Sequence, residues 1–171
     1  MKTLTELFEH ELALLYDAEH KILKALLRMA SKCANPELVE VLQEYQSISQ
    51  RKLERLERVF KAVGRQPSRL PCAGINGLIT EFTDFLDNDP APDILDVYAV
   101  ESARRVERYA ICAYQALITL SVAQRLDEVT ETLAASLADH NFAGDGFKAL
   151  SINLTEKLMD GAPQKEKPAV S

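Results

Sequence analysis

Apolar residues recur along this chain at alternating steps of three and four, in four long segments separated by short polar breaks. The last segment shows it most plainly. Val129, Leu133, Ser136, His140, Ala143, Phe147, Leu150 and Leu154 form the stripe of a helix that buries one face against others. His140 lies on that stripe and is expected to point at a core. The first segment reads Leu4, Phe8, Glu11, Leu15, Ala18, Ile22, Leu26 and Met29, which places Glu11 in its seam. An unpaired acid there is strongly unfavourable, so Glu11 is expected to meet a cation or a tyrosine hydroxyl. The second stripe, Leu38, Val41, Leu42, Tyr45, Ile48, Lys52, Leu56, Val59 and Val63, carries a lysine.

Local signals bound these helices. Thr3 and Glu6 have capping-box spacing, so the first helix starts near Thr3 and runs to about Ser31. Asn35-Pro36 supplies an N-cap followed by proline, and Gly64 a left-handed stop after a second helix ending at Val63. The stretch Gln66 to Pro71 is non-helical in composition. A shorter helix is predicted from Cys72 to about Asn88, with Ile75, Leu78, Ile79, Phe82 and Phe85 at helical spacing. After the break Asp89-Pro90-Ala91-Pro92, two more long helices are expected over 92–123 and 127–159, the last weakened by Gly144 and Gly146. Two short connections around a long one predict an all-α, ferritin-like four-helix bundle with a crossover carrying a short extra helix. A simple up-down-up-down bundle with a decorated loop is the alternative. The bundle is expected to span 1–159, with 160–171 as a flexible tail.

Composition narrows the function classes. A net charge of -6 without a basic arm argues against nucleic acid. No apolar run approaches a membrane span or a signal-peptide h-region, so a cytoplasmic protein with no membrane partner is the expectation. The three cysteines lack CxxC spacing, which argues against a disulfide framework or a thiolate zinc site. Cys112 reads as a small core residue. With only three histidines, a site of several imidazoles is excluded.

Dimetal carboxylate bundles take a Glu from each of two helices and a Glu-x-x-His pair from each of the other two. No complete Glu-x-x-His occurs here. The nearest approaches are Glu19, Glu107 and the Asp139-His140 pair, which are the candidate metal residues. Glu19 and Glu107 each stand one position off a seam residue, Ala18 and Val106, and read first as solvated or salt-bridged residues and second as ligands. His140 reads first as a hydrogen-bonded core histidine. Lys52 on its stripe could replace a metal's charge beside Glu11, Glu19 or Glu107. Glu101, Arg104, Arg105, Glu107 and Arg108 fit a salt-bridged face, and inward tyrosines could satisfy the remaining acids. No nucleophile-base arrangement or phosphate loop is present, so no catalytic residue is assigned.

Several stretches together resemble a known group. They are Glu11-Leu-Ala-Leu-Leu-Tyr-Asp-Ala-Glu19, Pro36-Glu-Leu leading to Arg55-Leu-Glu57, Cys72-Ala-Gly-Ile-Asn-Gly-Leu-Ile, Val106-Glu107 and Tyr114. Over residues 3 to 155 the chain is similar to the YciE/YciF family of stress-associated bacterial proteins, relatives of rubrerythrin. That resemblance implies a ferritin-like fold, a homodimer and a dimetal-type centre of unassigned reaction, with Glu19 as its first-helix acid. The family's second helix carries His-x-x-Glu-Thr-x-x-Gln, where this chain has Tyr45, Ile48, Ser49 and Lys52. Glu107 is kept, but its Glu-x-x-Glu partner is Ala110. Asp139-His140-Asn141 stands in place of Glu-Glu-Lys.

The expectation is therefore a stress-associated dimeric scaffold that has kept the fold and eroded the metal site. It would hold no cofactor and would use Lys52, His140 and tyrosine hydroxyls to neutralise its inward acids. One alternative is an atypical carboxylate protein with mononuclear or dinuclear Fe or Mn at Glu19, Glu107, Asp139 and His140, acting in peroxide or iron detoxification. Others are a hetero-oligomer with a related family member that completes the site, and an interaction module using the crossover helix.

Overall fold

A computed structural model describes residues 1–161. Five helices follow in order: α1 (Leu4–Ala30), α2 (Pro36–Ala62), α3 (Ala73–Leu86), α4 (Pro92–Ala123) and α5 (Asp127–Gly161). The predicted ends are realised chemically. The Glu6 N–H donates to Thr3 Oγ1 at 3.1 Å while the Thr3 N–H donates back to a Glu6 carboxylate oxygen at 3.2 Å. The Asn35 side chain accepts from the Leu38 N–H at 3.0 Å, and Gly64 stops α2 at a φ of 71°. The tail expected from residue 160 lies outside the described residues apart from its first two positions, which extend α5.

In the bundle α1 packs on α2 and α4, and α5 packs on α4 and α2, while α3 lies outside against α4 and α1. Direction is settled by contacts between ends. The Asp96 carboxylate, in the first turns of α4, accepts the Ala34 and Asn35 N–H groups of the α1–α2 connection, each at 2.9 Å. At the opposite end Thr5 donates to Gln124 at 2.8 Å. Helix α4 therefore starts where α2 starts, and the crossover returns the chain along the full bundle. All four neighbouring pairs are antiparallel, which is the ferritin-like path and not the up-down-up-down one.

A buried carboxylate also fastens the crossover. Asp17 accepts from Arg69 Nε at 3.0 Å, Arg69 Nη2 at 2.8 Å and the Cys72 N–H at 2.8 Å. Leu70 N–H reaches the Ala13 carbonyl at 3.2 Å. Gly74 is needed where α3 meets α4, because a Cβ there would stand 2.5 Å from the Tyr109 ring. Helix α3 is not the open docking face its pattern suggested. Ile75 and Phe82 are buried, Leu78, Ile79 and Phe85 pack against the core, and the Phe85 ring stacks on Tyr98 at 3.7 Å.

Each long helix buries an uninterrupted four-three stripe, and in α1 it differs from the expected one. Phe8, Leu12, Leu15, Glu19, Ile22, Leu26 and Met29 face inward, while Leu4 is exposed and Glu11 half-buried. Glu11 needs no buried partner, because it is not in the core. Helix α2 buries Leu38, Leu42, Tyr45, Ser49, Lys52, Leu56 and Val59. Helix α4 buries Asp96, Val100, Ala103, Glu107, Ala110, Tyr114, Leu117 and Ser121. Helix α5 follows its predicted stripe. Cys112, one position beyond Ile111, is exposed rather than in the core.

A buried charged layer as the candidate functional site

The four stripes place one ionisable side chain each near the middle of its helix: Glu19, Lys52, Glu107 and His140. All four are at most 1% exposed. The reading of Glu19 and Glu107 as solvated surface residues is thus corrected. Each completes a four-three repeat, and its neighbour, Ala18 or Val106, is buried beside it.

His140 is the hub. Its Nε2 lies 2.7 Å from Glu19 Oε1 and its Nδ1 lies 2.5 Å from Glu107 Oε2. Ionised carboxylates only accept hydrogen bonds, so a carboxylate at each ring nitrogen favours the doubly protonated imidazolium. Burial pushes the His140 pKa down, but the Glu19 and Glu107 charges outweigh burial and the neighbouring ammonium, and the net shift is upward. Lys52 Nζ is 3.2 Å from Nδ1, 3.1 Å from Nε2 and 3.7 Å from Glu19 Oε2. Near-equal distances to both nitrogens put the ammonium over the ring face, out of line with either N–H. It is therefore an electrostatic partner of the acids and no hydrogen-bond donor to the imidazolium. Glu19 shows the balance: burial drives its pKa upward, yet Lys52 and His140 hold it at about 2. Two cations face two anions, and the layer is neutral.

Not every polar atom in the layer is satisfied. Glu19 Oε2, Glu107 Oε1, Ser49 Oγ, Tyr114 Oη and Ser136 Oγ have no hydrogen-bond partner. Burial, then the Glu19 charge, raise the Tyr114 phenol well above its ordinary value, so it stays neutral. Its hydroxyl is near Glu19 and Ser136 but meets neither in hydrogen-bonding geometry. The other tyrosines serve elsewhere. Tyr16 donates to Glu57 at 2.7 Å, Tyr98 to the Glu81 carbonyl at 3.4 Å, and Tyr109 lies 3.1 Å from Cys72 Sγ. The expectation that tyrosine hydroxyls neutralise the inward acids is therefore corrected: among the described residues no tyrosine hydroxyl hydrogen-bonds Glu19 or Glu107, and Tyr114 and Tyr45 only stand near their charges.

Asp139 does not join the layer. Consecutive helical positions point about 100° apart, so with His140 inward Asp139 turns to the rim and pairs with Arg55. Of the four candidate metal residues the fold unites Glu19, Glu107 and His140, and Lys52 joins them. Lys52 was legible as a cation on a stripe. Ser49 carried no signal beyond its place in the repeat. Asp17 and Asp96, which fasten the connections, were not singled out by any motif.

A dimetal centre does not fit this donor set. The layer offers two carboxylates where four are needed, and one imidazole whose nitrogens are both engaged. An ammonium, which has no lone pair, comes from α2. Among the described residues no group of three or more His, Cys, Asp or Glu side chains is disposed to hold a metal ion. Among the same residues no helix is long and apolar enough to cross a membrane.

Comparison with known proteins agrees with this architecture. Protein YciF of Escherichia coli K12 is 25% identical over 166 residues, 96% of each chain. The crystal structure of that E. coli stress protein superposes with a TM-score of 0.87 over 92% of this chain and 99% of that one, again at 25% identity. YcfI of Rhodopseudomonas palustris, described only provisionally as a structural protein, is 31% identical, with a TM-score of 0.84 over 86% of this chain and 94% of its own. A two-domain Anabaena variabilis protein with DJ-1-like and ferritin-like domains shares the fold at 18% identity and a TM-score of 0.65. The match covers 99% of this chain and 42% of that one. The family model described as a domain of unknown function, DUF892, matches residues 3–158. The ferritin-like bundle with its inward acids, the YciF likeness and that match together make this chain a member of the DUF892 family.

Proposed function

We propose that this protein is a YciF-like structural member of its family, a non-catalytic scaffold whose bundle centre is closed by its own charges instead of by Fe or Mn. The observation that carries this reading is His140 bridging Glu19 and Glu107 with Lys52 above it. That arrangement leaves no free imidazole lone pair and places a cation where an ion would sit. The stress designation of YciF and the structural description of YcfI support the same assignment. In this reading the chain works as a homodimer. Helix α5 carries exposed Phe142, Ile152 and Met159, apolar surface that a second copy would cover. Pairing with a related family member is the alternative assembly.

The test is elemental analysis of protein purified without chelators and then incubated with Fe(II), Mn(II) or Zn(II). Metal content far below one ion per chain is expected. Stoichiometric metal that disappears in Glu107→Gln would overturn the reading in favour of an atypical carboxylate metal protein. Light scattering of wild type and Phe142→Lys tests the assembly, with loss of the dimer expected in the variant.

A further inference from the structure

We infer that the outer face of α4 carries a binding site for a phosphate dianion, formed by the guanidinium groups of Arg104, Arg105 and Arg108. The site lies on the surface, away from the closed centre, so the scaffold reading neither requires it nor falls with it.

It follows from the direction of Glu107. By sequence, Glu101, Arg104, Arg105, Glu107 and Arg108 read as one salt-bridged face. In the bundle Glu107 turns inward to His140, and the three arginines remain outside. With Glu101 they line an open cleft of about 340 Å³. Three guanidiniums and one carboxylate leave that cleft with a net charge of +2, in a chain whose own net charge is -6. Arg104 and Arg105 stand four and three positions before Arg108, so all three share one helix face. Like charges held this close repel one another, and an anion between them turns the repulsion into attraction.

Two of the guanidiniums are already held. Arg104 Nη1 donates to Glu101 Oε1 at 2.6 Å, and Ser151 of α5 donates to the same oxygen. Arg105 lies over the Tyr98 ring, its Cζ 5.3 Å from the centroid. Glu81, outside the cleft, reaches Arg105 at 4.0 Å, through side chains that are both exposed. Among the described residues Arg108 has no carboxylate within ion-pair distance. Side chains fixed beforehand lose less freedom when a ligand arrives, while Arg108 is free to turn toward it. The ligand class follows from donor shape and charge. A guanidinium offers a planar fork of N–H donors that matches the oxygens of a phosphate group. The local charge of +2 is balanced by a dianion, whereas a carboxylate would neutralise half of it.

The experiment is an NMR titration of the full chain at low ionic strength and about pH 8, where a phosphate monoester is a dianion. The probes are inorganic phosphate and glycerol 3-phosphate, with acetate at matched ionic strength as reference. Saturating shifts confined to residues 101–108 and their α5 neighbours are expected with both phosphates and not with acetate. Equal affinity for the two probes would identify the free ion as ligand, and tighter binding of the ester a small phosphorylated metabolite. Arg108→Gln should weaken binding by about tenfold or more, the loss of one charged hydrogen bond. Its thermal midpoint without phosphate should equal that of wild type, because Arg108 holds no ion pair. Arg58→Gln/Lys61→Gln, which neutralises a separate basic pair beside Glu128, should bind like wild type. Shifts scattered over the surface, saturation by acetate, or equal losses in the two variants would reduce the effect to general counterion attraction and overturn the proposal. The wild-type shift map decides the matter by itself if a variant does not fold.

Discussion

Two pairs of buried acids lie in this bundle, and they are held by different means. Asp17 and Asp96 sit at its margins and accept N–H groups of the connections: Cys72 for the first, Ala34 and Asn35 for the second. Glu19 and Glu107 sit at its centre and touch no backbone donor among the described residues. Their partners are His140 and Lys52. Asp17 and Glu19 are two residues apart on α1, and both are held at about 2 against the upward push of burial. For Asp17 the Cys72 N–H, Lys21 and Arg69 do this; for Glu19 it is Lys52 and His140. The marginal acids direct the chain's path. The central ones direct no turn, and their presence is explained only by each other and by their cations.

The sharpest way to break the comparison is to remove the hub. His140→Ala leaves two buried carboxylates facing one ammonium, and a loss of about 3–5 kcal/mol in urea unfolding is expected, as for other broken buried ion pairs. Replacing all four layer residues together by apolar ones of similar volume should be far milder. If the single and the fourfold variant lose equal stability, the layer is not a coupled unit.

Dependence on pH separates the regions next. Asp17 and Glu19 are both depressed from ordinary values of 3.8 and 4.5 to about 2. Each therefore adds stability above its unfolded pKa that disappears as pH falls toward about 2. His140 is raised above 6.5. Its contribution is complete below that value and is lost as pH rises through the raised pKa. The acid limb should thus arise from both regions and this alkaline loss from the centre alone. Unfolding curves of Asp17→Asn should show a weakened acid limb with the histidine-dependent loss intact.

Asp96→Ala should have a smaller effect, about 1–3 kcal/mol for backbone donors left without a partner. Hydrogen exchange should report opening confined to residues 33–35. Smallest of all, Asp139→Ala removes a partly exposed ion pair with Arg55 and should cost about 0.2–1 kcal/mol. Its metal content should match wild type, which would separate Asp139 from the candidate site.

Much of this could be read beforehand, but not all from the same signal. Thr3-Glu6 and Asn35-Pro36 located helix starts because capping is local chemistry between residues a few positions apart. The α5 stripe placed His140 inward because its repeat runs through eight residues without a break. In α1 two overlapping repeats share the core, one through Ala18, the other through Leu12 and Glu19, and the expected stripe took in the half-buried Glu11 while leaving out Leu12 and Glu19. An acid at position 19 looks like a surface residue until its cation is known. That cation lies on another helix, more than thirty positions away in Lys52 and farther still in His140. The same distance hid Asp17 and Asp96, whose backbone partners belong to connections that carry no motif.

By itself the amino-acid sequence determined that there are four long helices and one short one, where they begin, and that no complete dimetal ligand set is available. Those properties depend on neighbours within a few turns and on residue types that are simply present or missing. Tertiary structure alone decided that Glu19 and Glu107 join Ala18 and Val106 in the core, that Leu12 and not Glu11 is buried on α1, and which acid meets which nitrogen of His140. Neighbouring positions on a helix point about 100° apart, yet where a helix packs against two others both can be buried, as Ala18 and Glu19 are. Only the opposing helices, by supplying a countercharge, make such a position tenable for an acid.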